Sequence, residues 1–227
     1  MATDPTGSAP IPPPPGATPP PHVGGAHASL IERAKNILMR PKEEWSVIAA
    51  EPATIGGIYR DYVVILAAIG PIAMAIGLLL MGNSFFHFSM SFIIGQAVIS
   101  YLLGLAGVYV LALIIEALAP NFGGVKDRVA AFKLAAYSMT AVWLAGILSI
   151  IPMLGLLAIV GLIYTLYLLW LGLPVLMKSP EDKTTVYAVS VIIAYIVVYF
   201  VIAMIASRIM WTLMPPAVSP VTFNLPG

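Results

Sequence analysis

Three stretches of this chain contain no Asp, Glu, Lys or Arg: residues 62–115, 134–177 and 184–207, which are 54, 44 and 24 residues long. An α-helix crosses the hydrocarbon of a bilayer with about 20 apolar residues. The three stretches therefore hold two, two and one crossings. The composition agrees, since only 9% of the residues are charged and 60% are hydrophobic, where a soluble domain carries roughly a quarter charged residues. The expected fold class is an all-α, polytopic membrane helical bundle. It has five transmembrane helices and an N-terminal juxtamembrane amphipathic helix.

The expected divisions follow composition. Residues 1–28 contain nine prolines, including Pro12 to Pro15 and Pro19 to Pro21. They have almost no apolar surface to bury, so they read as a disordered, partly polyproline-II cytoplasmic tail. Pro12-Pro13-Pro14-Pro15 also satisfies the PxxP pattern of ligands for proline-recognising modules. Residues 29–61 read as juxtamembrane helices. Ser29 and Glu32 have capping-box spacing, and Leu30, Ile31, Ala34, Ile37 and Leu38 form an apolar stripe that leaves out Arg33 and Lys35. Pro41 interrupts it, and a second piece, Lys42 to Ala50, carries Trp45 and Ile48. Both are expected to lie in the inner interface with apolar faces towards the acyl chains. Residues 62–214 hold the spans, at about Tyr62–Met81, Phe92–Leu118, Leu134–Ile151, Leu154–Met177 and Thr184–Ser207. Only Ile151, Pro152 and Met153 connect the third to the fourth. Ser179, Pro180, Glu181 and Asp182 read as the cap and first turn of the fifth. Residues 215–227 form a non-cytoplasmic tail.

Lys and Arg counts set the orientation. Arg33, Lys35, Arg40, Lys42 and Arg60 precede the first span, Lys126, Arg128 and Lys133 separate the second from the third, and Lys178 and Lys183 separate the fourth from the fifth. Five spans put all ten on one side, which predicts a cytoplasmic N-terminus and an external C-terminus. Phe85, Phe86, Phe88 and Trp211 then fall at the outer interface. The first 28 residues lack the basic start and apolar run of a cleaved signal, so the first span is expected to direct insertion.

No catalytic, cofactor or metal motif is legible. The chain has no cysteine, so disulfides and thiolate ligands are out of reach. His22, His27 and His87 have no paired spacing, and no HExxH, GxSxG, Walker A or GxGxxG sequence occurs. Glu43-Glu44 reads as a solvated face. A net charge of +1 gives no reason to expect nucleic acid. Glu116 lies 24 residues after Phe92, about 36 Å along a helix, and Arg208 is placed similarly after Lys183. Both are therefore expected at headgroup depth, snorkelling, on opposite sides. Small residues at spacing four (Ala73 and Gly77, Ser100 and Gly104, Ala141 and Ala145, Ser190 and Ala194) would let helices approach closely. Tyr101, Tyr109, Tyr137, Tyr164, Tyr167, Tyr195 and Tyr199 need hydroxyl partners, either in neighbouring helices or along a solute path.

The order of several stretches resembles a known family. Pro41 to Glu51 (PKEEWSVIAAE), Phe122-Gly123-Gly124, Tyr137-Ser138-Met139-Thr140 with Trp143, Ile151-Pro152, Tyr164-x-x-Tyr167 and Gly172-Leu-Pro174-x-x-Met177-Lys178 are similar to the bacterial branch of the Yip family, the Ypt/Rab-interacting membrane proteins. The resemblance covers about residues 30 to 210 and excludes the proline-rich tail. It implies five spans, a cytoplasmic N-terminus and no catalytic residues. In eukaryotes it implies binding of prenylated small GTPases and a part in vesicle formation or membrane shaping, a role not carried over to a bacterial chain.

The expectation is thus a non-enzymatic inner-membrane protein without cofactors, whose partners are membrane lipids, an unidentified membrane or cytoplasmic protein, or a second copy of itself. Its cytoplasmic docking surface would comprise Trp45, Phe122, Lys126, Arg128, Phe132 and Lys133. The rival class is a small-solute transporter or channel using the tyrosines, ranked second because neither an internal repeat nor a mid-membrane charge is evident.

Overall fold

The computed structural model of the chain describes residues 29–85 and 89–213. The proline-rich tail with His22 and His27, His87, the aromatic side chains of Phe85, Phe86, Phe88 and Trp211, and the C-terminal tail lie outside what is described. Among the described residues every regular element is helical. Five helical segments are long and apolar enough to cross a membrane: Ile55–Leu80, Met90–Phe122, Arg128–Ile150, Ala158–Leu176 and Glu181–Arg208. The chain is an all-α, multi-pass membrane protein with these as spans one to five.

Two helices precede them, α1 (Leu30–Met39) and α2 (Pro41–Ala50). Ser29 caps α1 as its spacing predicts, its Oγ accepting from the Glu32 amide at 3.3 Å. Pro41 does not merely interrupt a helix: it occupies the first turn of the next one, where its missing N–H costs nothing. Span one then begins seven residues earlier than expected, at Ile55 rather than Tyr62. Thr54 is the reason, since its Oγ1 accepts from the Gly57 amide at 3.1 Å and caps the helix. Arg60 and Asp61, which marked the boundary in the sequence, are instead bonded to each other at 2.7 Å on its exposed side. The span is composite: α3 (Ile55–Ile58), a π-helical turn (Tyr59–Val63), α4 (Val64–Ala67) and α5 (Ile69–Phe85).

Span two is α6 (Met90–Leu118), extended by a 3-10 turn over Ala119–Phe122. Gly123 ends it at φ 75°, the left-handed conformation that glycine adopts without strain. Gly124 then approaches the end of span four so closely that a Cβ there would sit 2.9 Å from the Met177 carbonyl oxygen. Span three consists of α7 (Arg128–Ser138), α8 (Thr140–Ala145) and a 3-10 segment over Gly146–Ile150. Asp127 caps it by accepting from the Ala130 amide at 2.9 Å. The connection to span four is longer than the three residues expected, because 3-10 geometry also occupies Pro152–Leu157 before α9 (Ala158–Leu176) begins. Span five is α10 (Glu181–Leu213). Ser179 is not its cap: the Ser179 hydroxyl bonds the Thr184 hydroxyl at 3.1 Å.

The small-residue pairs divide. A Cβ at Gly77 would meet the carbonyl oxygens of Ile150 and Ser149, and one at Gly161 would meet Ala145 and Ala141, so the first and third pairs do bring spans together. Gly104 faces open space, and Ser190 bonds the Val186 carbonyl of its own helix. Most tyrosine hydroxyls that form bonds reach a neighbouring element: Tyr59 to Leu105 O at 2.6 Å, Tyr101 to Val64 O at 3.0 Å, Tyr62 to Thr140 Oγ1 at 2.7 Å.

Candidate functional site

The structure departs most from the sequence reading at α1 and α2. Neither lies with its apolar face to lipid. Ile37, Trp45 and Ile48 are part of the protein core, and Trp45 is fully buried. A Cβ at Gly172 would lie 2.8 Å from the Trp45 ring and 2.5 Å from Leu134, so glycine at that point of span four makes room for the indole. The Tyr164 hydroxyl donates to the Leu38 carbonyl at 2.6 Å, fixing the end of α1 to span four. The inward face of α1 is Leu30, Arg33, Ala34 and Ile37, with Ile31 77% exposed. The apolar stripe is therefore turned by one position, and an arginine belongs to its buried side.

That arginine organises a buried ionic cluster. Arg33 donates through Nη1 to Glu44 of α2 and through Nη2 to both oxygens of Glu51, just beyond the end of α2. Its Cζ lies 5.7 Å from the ring centroid of Tyr137 in span three, a cation–π contact. Burial alone would lower the Arg33 pKa, but the Glu51 hydrogen bond and the two carboxylate charges outweigh it and raise it further. The guanidinium thus stays charged. Glu44, expected on a solvated face, is buried in this pair, whereas Glu43 is exposed.

Lys133 completes the clamp from the bundle side. Only 6% exposed, its Nζ donates to the carbonyls of Ile48, at 2.7 Å, and Glu51. These are at the C-terminal end of α2, where carbonyls lack intrahelical donors and a cation is favoured. Lys133 therefore ties the end of α2 to span three, while Arg33 ties α1 to α2 and stacks on Tyr137. Beside them opens a cleft of about 650 Å³ between the hairpin, the start of span one and span three, with Arg33, Glu51, Asp61, Arg60, Lys133 and Tyr137 among its lining.

The six expected docking residues separate into two groups. Lys126 and Arg128 are exposed, and Phe122 is half-buried, stacked on Tyr187 with centroids 5.0 Å apart. Trp45, Phe132 and Lys133 are buried and offer no outer surface: Trp45 packs at Gly172, Phe132 lies against the rings of Tyr59 and Tyr109, and Lys133 holds the end of α2. Arg128 is also engaged: its Nε donates to Glu116 at 2.8 Å. Glu116 is therefore not a snorkelling carboxylate. It is 7% exposed and satisfied by a partner from the next span. Arg208 is exposed. No group of three or more His, Asp or Glu among the described residues could hold a metal ion.

The stretches that carried the family resemblance prove to be packing points of this arrangement: Trp45 on Gly172, Phe122 on Tyr187, Gly123 on Pro180, Gly124 on Met177, Tyr137 and Thr140 on Arg33 and Tyr62, Tyr164 on Leu38. The Yip1 domain model matches residues 35–215. Inner membrane protein YohC of Escherichia coli strain K12 is 32% identical over 155 residues, which cover 65% of this chain and 80% of that protein. The protein of the same name from E. coli O6:H1 strain CFT073 matches to the same extent. No solved structure matches the chain. With the family model spanning most of its length, this chain belongs to the Yip1 domain family.

Proposed function

We propose that this chain is a non-enzymatic integral protein of the cell inner membrane that binds or organises membrane proteins or lipids at its basic end. One observation carries the reading. The α1–α2 hairpin is clamped to the bundle by buried charges, yet it leaves Ile31, Met39 and Val47 exposed beside exposed Lys35, Arg40 and Lys42. A fixed ledge mixing apolar and basic side chains suits a leaflet surface or a membrane-bound partner, each basic residue near an anionic surface contributing about 1 kcal/mol. The positive-inside rule places this ledge in the cytoplasm, and the name of the E. coli relative supports the inner membrane. A transporter reading has less to draw on, since Tyr101 and Tyr164 use their hydroxyls to join elements.

The test is photo-crosslinking from Val47 and Lys126 in native membranes, comparing the wild type with a variant carrying Lys35→Gln, Arg40→Gln and Lys126→Gln. Loss of crosslinked partners or of anionic-lipid binding in the variant is the expected result. Unchanged partners and lipid binding, together with solute flux in liposomes that Tyr109→Phe and Tyr167→Phe alter, would replace this reading with the transporter.

A further inference from the structure

The cleft beside the hairpin has properties that a merely structural ion-pair cluster does not need. It is open rather than collapsed, and about 650 Å³ falls within the roughly 300–1,000 Å³ of small-molecule sites. Its charges are balanced in kind: Arg33, Arg60 and Lys133 face Glu51 and Asp61, with Glu44 behind Arg33. Several groups keep capacity for a ligand. Lys133 uses two of its three donors on the protein. Glu51, whose side chain is 28% exposed, accepts from a single nitrogen of Arg33, although a carboxylate has about four acceptor sites. The Tyr137 hydroxyl, lining the same space, makes no hydrogen bond among the described residues. The wall contributed by span one is a π-helical turn, Tyr59–Val63, a departure from α-helix that occurs frequently at functional sites.

We infer that this cleft binds the head group of a zwitterionic phospholipid, its phosphate against Lys133 and Arg60 and its ammonium against Glu51 and Asp61. The spare donor of Lys133 and the spare acceptor sites of Glu51 select a ligand bearing both signs, because a purely anionic head group would leave the Glu51 acceptors unused. The depth selects a lipid over a dissolved solute. Arg60 and Asp61 are the last charges before the apolar part of span one, so the cleft sits at headgroup level. Beyond it Ile65, Ile72 and Ile76 are exposed at helical spacing, an apolar track for an acyl chain. The inference rests on the reading that the basic end engages the membrane, and it names the lipid chemistry.

The test uses the full chain in micelles doped with equal phosphatidylethanolamine and phosphatidylglycerol, with native mass spectrometry reporting which lipid is retained. The wild type should retain phosphatidylethanolamine preferentially. Asp61→Asn leaves Arg60 uncompensated and should shift the ratio towards phosphatidylglycerol by about fivefold, whereas Arg60→Gln should shift it the other way by a similar factor. Opposite shifts from adjacent exposed residues cannot come from misfolding. Tyr137→Phe should weaken retention of the zwitterion while the melting temperature stays put. A ratio that neither charge variant moves would overturn the site. So would glycerophosphoethanolamine binding the delipidated protein as tightly as the lipid does, which would make the ligand a free zwitterion. Failure here with crosslinked partners still present would remove the lipid site alone and leave the docking function standing.

Discussion

Replacing Arg33 by Met should release α1 from α2 and from Tyr137 of span three without unfolding the spans. The substitution preserves most of the side-chain volume against Tyr137 but leaves Glu44 and Glu51 without their cation, and the Glu44 side chain is only 8% exposed. Removing one partner of a buried ion pair costs about 3–5 kcal/mol, because the remaining charge is stranded in low dielectric. The spans lose nothing comparable, so the cost falls on the docking of α1 against α2. The absence of native cysteine makes the assay clean. A reporter at Ala34→Cys, a small residue 6% exposed on the inward face, can react with a thiol reagent only when α1 lifts. A change of 3–5 kcal/mol should raise that labelling rate by roughly 10²-fold to about 4 × 10³-fold, unless it saturates first. A second reporter at Ile31→Cys, already exposed, should not change. Exchanging the charges, with Arg33→Glu and Glu44→Arg together, should recover part of the protection. An increase of less than about tenfold for Arg33→Met would show that the packing of Ile37 and the Tyr164 bond to Leu38 hold α1 without the ion pairs, and the ionic cluster would be incidental.

Lys133→Met should cost about 1–3 kcal/mol by leaving the Ile48 and Glu51 carbonyls without their donor, seen as a lower melting temperature and faster Ala34→Cys labelling. Gly172→Ala should destabilise by about 1–3 kcal/mol through overpacking against Trp45 and Leu134, measurable as a loss of thermal stability in detergent and a shift in tryptophan fluorescence. Glu116→Gln should cost no more than about 1 kcal/mol, since its partner Arg128 is more than half exposed and remains hydrated; a larger loss of melting temperature would mean that the pair is a structural anchor. Reporter fusions after Gly82, Gly124, Ser179 and Gly227 should read outside, inside, inside and outside, and any other order breaks the proposed orientation.

The number and class of elements were legible because hydrocarbon thickness imposes a coarse rule on where charge can go. Stretches without a charge map onto spans whatever their partners. Caps were legible where they are local, as at Ser29, and failed at Ser179, where the nearby Thr184 hydroxyl competes for the side chain. The site was not legible because its members are joined across 11, 18 and 82 residues. Arg33 lay off the apolar stripe and was read as solvated. Nothing nearby in the sequence says that Glu44 and Glu51 will come round to meet it. Trp45 was read as surface for a related reason: a helix too short and charged to span was assumed to face lipid, when the bundle itself provides the apolar wall. Phe132 was read as surface because span three was expected to begin at Leu134, whereas its helix starts at Arg128. One signal was present. Glycine at position 172, four residues from the end of span four, leaves room for a large ring, and Trp45 is the ring that fills it.

The basic residues at this end do two physically separate jobs. Position relative to the spans is enough for orientation, which depends on the number of Lys and Arg near span ends and not on their partners. The structure adds that Arg33, Arg60, Arg128 and Lys133 are each engaged by a specific acceptor, while Lys35, Arg40, Lys42 and Lys126 are exposed. The first set holds the hairpin, lines the cleft or ties span two to span three. The second is what a leaflet or a partner can meet. Neutralising buried Arg33 or Lys133 therefore changes shape, and neutralising one of the second set changes attraction. Lys133 is the instructive case: by sequence it ranks with Lys126 as a docking charge, yet it sits under the hairpin. A loss of binding in a Lys133 variant would report a lifted hairpin rather than a missing contact, so Lys126 is the residue on which a docking experiment can be read directly.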